Sequence, residues 1–376
     1  MKALLFTMTC GEGHNMMAKS LADQFEKKGI ETKIVQIFGF SAKLTARENK
    51  MFLWAVKHIP HIYDYIWRKL YNKNSKEVSK RLQKAIPYMV ENIREFKPDI
   101  IVCTHLYASN NVTFMRRHTM IDSKIIVGTI LQDFCLTPYC ELSTGVDYIF
   151  QSYTNTTQPL LDKGFRIEQI KTFGIPIRSE FADTSAMDKR NKSELRQHLN
   201  IPDKFTVLIV GGGNSLGNTL KLLKSILQKN LDIQIVIING KNKKNYDKIQ
   251  KYIEKHNISN VINLGFVNNM IEYMSCVDTT ITRCGSSVIS ETLTRGIPFI
   301  TREKLILNEK ITKKMLIDTG CALGLDKITD AGDKVEMLIN NSDLYNSMAE
   351  NVKKLAKPNS SENIVDFLIN ECNNRK

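Results

Sequence analysis

Short apolar runs alternate along this chain with longer segments that have helical periodicity. In the first half the apolar runs are ALLFTM, TKIVQIF, DIIVCT, KIIVGTIL, VDYIFQS and IKTFGIP. Runs of this length predict buried strands, and the periodic segments predict helices near 15–28, 76–96 and 107–118 and from about 154. Strands that alternate with helices form a parallel sheet covered on both faces. The pattern therefore predicts one Rossmann-like unit.

A polar stretch at 178–192 interrupts the pattern and predicts an interdomain hinge. The same alternation then begins again with FTVLIV, IQIVIING, VINLGFV, TTITRCG and PFITR, and it ends in a helical C-terminus. We expect an α/β protein in which two doubly wound domains face each other across a cleft. The predicted parts are an N-terminal domain at 1–177, the hinge, a C-terminal domain at 193–355 and a last helix at 356–376 that packs back on the N-terminal domain.

Size and composition agree with two globular domains. The chain has 376 residues, 42% of them hydrophobic, and no apolar run reaches the ~18 residues that a membrane span requires. The N-terminus runs directly into folded pattern, so we expect a cytoplasmic protein. The eight cysteines form no C-x-x-C pair, so they predict reduced thiols and no zinc site.

The net charge of +14 is concentrated in one segment. Residues 41–84 hold eleven Lys and Arg against three acidic residues, together with both tryptophans. Aromatic and basic residues that alternate in this way are typical of a membrane-interface segment. The candidate membrane residues are Trp54, Lys57, Tyr63, Trp67, Arg68 and Lys69. A pair of amphipathic helices with a solvated basic face explains the same composition, and no known motif supports nucleic acid as a partner.

The sequence GEGH follows the first predicted strand and precedes a helix. Gly11 and Gly13 allow a tight turn, and a helix that begins there presents unpaired N–H groups to a polar or anionic ligand. The dinucleotide fingerprint is incomplete, because the third glycine is absent. Glycines that only shape a turn, with His14 as a capping or packing residue, remain the alternative.

Five motifs together resemble a known family. They are GEGH, GIPIRSEF, LIVGGGNSLG, LGFVNNMIEYMSCVD and TRCGSSVISETLTRGIP. Taken together they are similar to the family 28 glycosyltransferases with the GT-B fold, and within that family to the diacylglycerol glycosyltransferases related to monogalactosyldiacylglycerol synthase. The resemblance covers nearly the whole chain.

The resemblance implies a site for a uridine diphosphate sugar (UDP-sugar) in the second domain. Glu291 would accept hydrogen bonds from the ribose hydroxyls, and Phe266 would lie beside the uracil. The diphosphate would meet helix N–H groups and a cation, and the sugar hydroxyls would meet two polar side chains. The residues implied for these contacts are Arg283, Gly285, Ser286 and Ser287 for the diphosphate, and Asn308 and Glu309 for the sugar. Gly212, Gly213 and Asn214 would line the other side of the UDP-sugar cleft.

In the first domain the resemblance implies the acceptor site and the base. His14 and Asp133 are the two candidates for the group that takes the acceptor's proton, and an imidazole suits that role near neutral pH. The implied acceptor loop comprises Gly11, Glu12, Gly13 and His105. Where the family has Lys-Pro-Gly-Gly-x-Thr, this chain has Arg-Cys-Gly-Ser-Ser-Val, which leaves the identity of the sugar open.

The implied activity is that of an inverting hexosyltransferase without a tightly held metal ion. It would move glucose or galactose from a UDP-sugar to diacylglycerol while the protein is bound peripherally to anionic lipids on the inner face of the cell membrane. One alternative is transfer of N-acetylglucosamine to a lipid-linked peptidoglycan precursor, by the sister branch of the family. Another is a non-catalytic protein that binds nucleotide sugars or nucleic acid.

Overall fold

The chain divides into two compact units, each of which holds one parallel sheet. The computed structural model describes residues 1–9, 13–73, 75, 77–182, 191–210, 218–302 and 306–375. Unit 1 comprises Met1–Ser179, Ile306–Asn308 and Asn359–Lys376, and unit 2 comprises Glu180–Leu305 and Glu309–Pro358. Within the predicted hinge at 178–192, residues 183–190 lie outside the described residues.

Unit 1 is built on six parallel strands in the order β2-β1-β3-β4-β5-β6. The strands are β1 Lys2–Thr7, β2 Glu31–Gln36, β3 Ile100–Cys103, β4 Ile126–Ile130, β5 Tyr148–Gln151 and β6 Ile170–Thr172. Its helices include α1 Gly13–Lys27, α2 Ala42–His58, α3 Pro60–Tyr71, α4 Lys80–Gln83, α5 Ile86–Phe96, α6 Leu106–Arg117 and α7 Thr157–Asp162. The chain order reverses between β1 and β3, so the carboxyl ends of these two strands form the switch point where ligands bind in such sheets.

Unit 2 repeats this architecture with the order β12-β11-β10-β7-β8-β9, again with all strands parallel. The strands are β7 Phe205–Val210, β8 Ile233–Ile238, β9 Val261–Leu264, β10 Thr279–Thr282, β11 Phe299–Thr301 and β12 Ala322–Gly324. The helices from residue 179 onward are α8 Ser179–Ala182, α9 Lys192–His198, α10 Thr219–Leu227, α11 Lys243–Lys255, α12 Met270–Cys276, α13 Ser286–Thr294, α14 Leu307–Asp318, α15 Ala331–Asn340, α16 Ser342–Leu355 and α17 Ser360–Arg375. Here the switch point lies between β7 and β10.

The predicted strands are all present, but two predictions about the elements were wrong. The strand β12 is absent from the sequence analysis, because it ends at Gly324 and does not lie in a longer apolar run of the kind that contains β6 and β11. The single helix predicted near 76–96 is two helices, α4 and α5. Pro87 lies in the first turn of α5, where its missing N–H costs nothing. Further inside a continuous helix, its ring would clash with the carbonyl of Gln83, and α4 ends at that residue.

The last helix, α17, packs on unit 1. The Ser360 hydroxyl donates to the Ile175 carbonyl at 2.7 Å, and the Arg375 guanidinium donates to Asp147 at 2.6 Å. Gly128 in β4 leaves room for this helix, because a Cβ at that position would lie 2.8 Å from the Phe150 ring and 3.4 Å from Leu368. The residues of α17 that face unit 1, such as Leu368, are buried and extend the apolar core.

Unit 2 contains a buried ion pair that connects α9 to the start of β7 and β10. The carboxylate of Asp278 accepts from Arg196 Nη2 at 2.6 Å, from the backbone N–H of Thr206 at 2.7 Å and from Lys192 Nζ at 2.8 Å. Arg196 also donates from Nε to the Cys276 carbonyl at 2.9 Å. Because the Arg196 side chain is only 9% exposed, its charge depends on these partners.

We expect Asp278→Ala to lower the free energy of unfolding of unit 2 by about 1.5–3 kcal/mol, since it removes charge-assisted hydrogen bonds from a buried guanidinium and leaves it only the more exposed carboxylate of Asp203, 2.7 Å from Nη1. Urea unfolding monitored by circular dichroism measures the change. Asp232→Ala is the matched control, because the Lys204–Asp232 pair is exposed and contributes less than about 1 kcal/mol. Equal midpoints for the two variants would contradict the prediction.

Candidate active site

At the switch point of unit 1, the ends of β1 and β3 bring two histidines together. Thr104 extends the pairing of β3 with β1, since its N–H donates to the Phe6 carbonyl at 3.0 Å. The next residue, His105, caps α6, and its Nδ1 accepts from the N–H of Tyr107 at 3.0 Å. The rings of His14 and His105 lie with their centroids 4.4 Å apart. The sequence analysis assigned both residues to this site, and the structure places them side by side.

The buried imidazole of His14 has one defined tautomer. Its Nδ1 lies 2.5 Å from the carbonyl oxygen of Thr104. A carbonyl can only accept, so Nδ1 carries the proton and Nε2 carries the lone pair. Burial lowers the pKa of His14 to about 4, although the hydrogen bond to Thr104 raises it. At neutral pH the ring is therefore uncharged, with Nε2 as its basic atom.

His105 has the opposite tautomer. Its Nδ1 is an acceptor for the N–H of Tyr107, so the neutral ring carries its proton on Nε2. Burial, and then the neighbouring His14, lower the pKa of His105 well below its usual range. The pair thus combines a basic nitrogen on His14 with a hydrogen-bond donor on His105.

A polar cluster that the sequence analysis missed holds the first turn of α1 at this edge. Asn15 Oδ1 accepts from Gln36 Nε2 at 2.7 Å and from Thr7 Oγ1 at 3.2 Å, and Asn15 Nδ2 donates to Thr9 Oγ1 at 3.2 Å. Gln36 and Thr9 are also bonded at 3.1 Å. The sequence feature that could have predicted this cluster is the polar residue at the end of each of the two neighbouring strands, Thr7 in β1 and Gln36 in β2. These bonds support the backbone that carries His14.

The second candidate base, Asp133, follows β4 and is half-buried. Its Oδ2 accepts from Asn308 Nδ2 at 3.3 Å, within the part of the chain grouped with unit 1. The sequence analysis assigned Asp133 to the base and Asn308 to the sugar, so the structure joins residues from two predicted groups. In the acceptor loop, Gly13 begins α1, whereas Gly11 and Glu12 lie outside the described residues.

At the switch point of unit 2, the predicted diphosphate residues follow β10. Gly285 is the N-cap of α13, and Ser286 and Ser287 are its first two residues. The N–H groups of this first turn point away from the helix and suit an anion. Glu291 lies further along the same helix and is buried. Gly212, Gly213 and Asn214, which follow β7, lie outside the described residues.

Arg283 and Glu309, which the resemblance assigns to the diphosphate and the sugar, bind each other in this structure. Arg283 Nε lies 3.0 Å from Glu309 Oε1, and Arg283 Nη2 lies 2.5 Å from Glu309 Oε2. This two-pronged geometry is the strongest form of an arginine–carboxylate pair. Both side chains are at most 15% exposed. Any ligand that binds Arg283 must therefore share it with Glu309.

Phe266 lies after β9, and 62% of its surface is exposed. The ammonium of Lys241 lies 5.9 Å from the centroid of its ring. Next to it is an open cavity of about 290 Å³, lined by Gly240, Lys241, Lys243, Tyr246, Asn263, Leu264 and Gly265. An exposed aromatic ring beside polar groups is a suitable surface for a flat base. This arrangement is compatible with the uracil contact that the resemblance implies.

The basic aromatic segment forms α2 and α3, and it includes one correction. Trp67 is only 9% exposed and stacks on Tyr71 with ring centroids 5.4 Å apart, so it packs inside unit 1 and is not available to a membrane. Trp54 on α2 is 53% exposed, while Tyr63 is half-buried and Arg68 and Lys69 are exposed. The side chain of Lys57 lies outside the described residues.

Three apolar residues on α3 are exposed, and two of them, Ile62 and Tyr65, were missed by the sequence analysis. Tyr65 is 66% exposed, Ile62 is 52% exposed and Ile66 is 48% exposed, and together with Lys69 they form what we call the outward face of α3. They recur at i, i+3, i+4 and i+7, a helical spacing that the sequence contained but that aromatic composition alone did not reveal. The segment therefore forms helices, and the exposed residues that could contact a membrane do not include Trp67.

No helix in the described part of the chain is long and apolar enough to cross a membrane. Within the described ranges, no group of three His, Cys, Asp or Glu side chains is arranged to hold a metal ion. None of the seven described cysteines forms a disulfide, and all seven are buried.

Two family models match the chain. The monogalactosyldiacylglycerol (MGDG) synthase model matches residues 14–177, and the glycosyltransferase family 28 C-terminal domain matches residues 206–313. The matched ranges contain the histidine pair of unit 1 and the α13 turn of unit 2.

Characterised relatives match over nearly the full length. The chain is 26% identical to processive diacylglycerol beta-glucosyltransferase from Bacillus subtilis, over 98% of this chain and 95% of the relative. It is 25% identical to the chloroplastic monogalactosyldiacylglycerol synthase 3 from Arabidopsis thaliana, over 97% of this chain and 80% of the relative.

Solved structures share the fold. MurG from Acinetobacter baumannii has a TM-score of 0.66 at 17% identity and covers 98% of this chain and 100% of its own. Anabaena HepE in complex with UDP-glucose has a TM-score of 0.57 at 13% identity, with coverage of 98% and 100%. With two parallel six-stranded sheets the chain has the two-domain GT-B fold of these structures, and it carries a match to the MGDG synthase model followed by a match to the glycosyltransferase family 28 C-terminal domain.

Proposed function

We propose that this protein is an inverting glycosyltransferase that transfers glucose from UDP-glucose to diacylglycerol, as a peripheral protein on the cytosolic face of the membrane. The names of the full-length relatives, which act on diacylglycerol, support the acceptor. The Bacillus relatives named as glucosyltransferases support glucose as the sugar.

The observation that carries the proposal is the tautomer of His14. An acceptor hydroxyl is a weak nucleophile until a base takes its proton, and an aimed base accelerates such a step by about 10²- to 10⁴-fold. Nε2 of His14 carries a lone pair because Nδ1 donates to Thr104. His105 offers an N–H beside it, which can orient an incoming oxygen. Asp133 bonds to the Asn308 amide, so we assign the base to His14.

In the proposed reaction, the free hydroxyl of diacylglycerol attacks the anomeric carbon of the sugar. A bond forms between the acceptor oxygen and that carbon, while the bond from the carbon to the diphosphate oxygen breaks on the opposite face. The hydroxyl proton passes to Nε2 of His14, and the electron pair leaves with uridine diphosphate (UDP). This single displacement inverts the configuration at the anomeric carbon.

The departing diphosphate needs positive charge where its own charge develops. In our proposal the N–H groups at the start of α13 and the guanidinium of Arg283 supply it, so the step uses no resident metal ion. Glu291 would hold the ribose hydroxyls through its carboxylate, and Phe266 would pack against the uracil. The short side chains of Ser286 and Ser287 leave the backbone accessible to the phosphates.

We further propose that the outward face of α3 docks on the bilayer that contains the acceptor. Large exposed apolar residues next to Arg68 and Lys69 combine insertion with attraction to anionic headgroups. Each basic residue near an anionic surface contributes about 1 kcal/mol. Such docking is reversible and gives the protein access to a hydroxyl at headgroup level.

The decisive assay incubates the purified chain with labelled UDP-sugars and with vesicles that contain either diacylglycerol or a lipid-linked peptidoglycan precursor, and separates the lipids by thin-layer chromatography. A glucosylated lipid is the expected product. A galactosylated lipid would instead identify UDP-galactose as the donor. Transfer of N-acetylglucosamine only to a lipid-linked peptidoglycan precursor would assign the protein the activity of the sister branch of the family. No transfer with any donor would reject catalysis.

We expect His14→Ala to lower kcat by about 10²- to 10⁴-fold, with the UDP dissociation constant unchanged. In the wild type, kcat/KM should fall only as the pH drops through about 4, because the active, neutral imidazole persists down to its lowered pKa. A pH–rate profile and calorimetric titration with UDP measure these quantities, with circular dichroism as the check on folding. His118→Ala, an exposed histidine of unit 1, is the control. A fully active His14→Ala enzyme would remove this residue from the chemistry.

Glu291→Ala should weaken UDP binding by about 10- to 100-fold, because hydrogen bonds to a charged group contribute about 1.5–3 kcal/mol. Calorimetric titration measures the dissociation constant. Glu254→Ala, which removes an exposed carboxylate of α11 in the same unit, provides the baseline. Unchanged affinity in the Glu291 variant would place the ribose elsewhere.

Replacing Ile62, Tyr65 and Ile66 together by serine should reduce binding to vesicles of phosphatidylcholine and phosphatidylglycerol at least 10-fold, since each buried side chain of this size contributes about 1.5–3 kcal/mol. Vesicle co-sedimentation measures the partition. The matched control is Ile167→Ser, which removes an equally exposed apolar residue of unit 1 away from α3. If both variants bind like the wild type, the outward face of α3 is not the docking surface.

A further inference from the structure

The inward face of α3 carries a buried carboxylate that the reaction described above does not use. Asp64 is 8% exposed, although it lies in the most basic segment of the chain. Burial of a carboxylate is costly unless hydrogen bonds satisfy it. The contacts of Asp64 therefore indicate what this residue holds in place.

Asp64 contacts a residue that is 243 positions away in the sequence. Its Oδ1 accepts from the backbone N–H of Leu307 at 2.8 Å. Leu307 is the first residue of α14, and the first N–H groups of a helix have no partner within that helix. A carboxylate at a helix N-terminus also interacts favourably with the helix dipole. Asp64 thus does for α14 what an N-cap side chain normally does, but it does so from another helix.

The bond joins α3 to a short segment that belongs to unit 1. Residues Ile306–Asn308 are grouped with unit 1, whereas the residues on either side of them belong to unit 2. Ile306 and Leu307 are both buried. On the other side of the segment, Asn308 donates to Asp133 at 3.3 Å. The segment is therefore held by α3 at Leu307 and by the residues after β4 at Asn308.

The helix that carries Asp64 is itself firmly anchored. The ammonium of Lys163 donates to the Tyr71 carbonyl at 2.7 Å, at the C-terminal end of α3, and lies 3.7 Å from Glu141. Trp67, on the same helix, is buried. A group on such an anchored element fixes its partner more precisely than a group on a loop.

We infer that Asp64 is a positioning residue for sugar transfer: by bonding to Leu307 it sets the side chain of Asn308 beside Asp133. The inference rests on the proposed function, together with the family resemblance that assigns Asn308 to the sugar of the donor. Asp64 itself touches neither substrate nor reacting atom. Loss of its carboxylate should thus impair the transfer step and spare the binding of UDP, which is assigned to Glu291 and Phe266.

The test compares the wild type with Asp64→Ala, Asp64→Asn, Asn308→Ala and the double variant Asp64→Ala/Asn308→Ala. It measures kcat and KM for UDP-glucose, the dissociation constant for UDP, and the melting temperature. Glu77→Ala, which removes an exposed carboxylate from the same basic segment, is the matched control. Activity of the wild type is established first, because an inactive wild type would reject the proposed function and this inference with it.

We expect Asp64→Ala to lower kcat at least 10-fold while UDP affinity stays within 2-fold of the wild type. Asp64→Asn should recover most of the rate, since its amide oxygen can still accept from Leu307. The double variant should be no slower than Asn308→Ala, because two residues that act through one contact are not additive. A residue that only stabilises the fold would lower the melting temperature without producing this pattern.

Three results would overturn the inference in an active wild type. One is an Asp64→Ala enzyme with kcat within 2-fold of the wild type, the second is a double variant whose losses multiply, and the third is an equal loss of UDP affinity. If Asp64→Ala does not fold, Asp64→Glu decides, since it keeps the charge and moves the acceptor atom by one methylene. A slowed Asp64→Glu enzyme supports the inference, and one with wild-type kinetics overturns it.

Discussion

The site chemistry of each unit depends on one constraint, the parallel direction of all strands in its sheet. Parallel strands bring all their carboxyl ends to one edge, and the reversal of strand order opens that edge at a single point. In unit 1 this point lies between β1 and β3, which places His14 next to His105. In unit 2 it lies between β7 and β10, where Gly285 begins α13. The residues at these points need no long connecting loops to meet.

Backbone atoms then decide what those residues can do. The carbonyl of Thr104 accepts from Nδ1 of His14 and so fixes the proton on that nitrogen. Without this carbonyl, the tautomer of the buried imidazole would not be defined. That carbonyl is available because Thr104 follows the last residue of β3, while its N–H is still paired with Phe6 in β1. Burial disfavours the charged imidazolium, so His14 is neutral at physiological pH and its Nε2 carries a lone pair.

Local signals in the sequence were enough to predict β1–β11 and the polar residues that follow several of these strands, because apolar runs act over a few positions. Contacts between distant residues left no such signal. The bond from Asp64 to Leu307 and the pairing of Arg283 with Glu309 depend on how separate elements pack. The burial of Trp67 was predictable in principle, since the helical period of α3 separates it from Tyr65, but composition obscured that period.

The pairing of Arg283 with Glu309 bears on how a donor can be held in unit 2. A guanidinium this buried needs a counter-ion, and Glu309 provides one without any ligand. A diphosphate that approaches Arg283 also meets the N–H groups at the start of α13, so it does not have to displace the carboxylate to be bound. Because Arg has five donors in a planar fork, it can bond to Glu309 through one edge and to a phosphate through another. In the proposed reaction, the pair would orient the cation for the leaving group, and the remaining lone pairs of the Glu309 carboxylate could accept from a sugar hydroxyl.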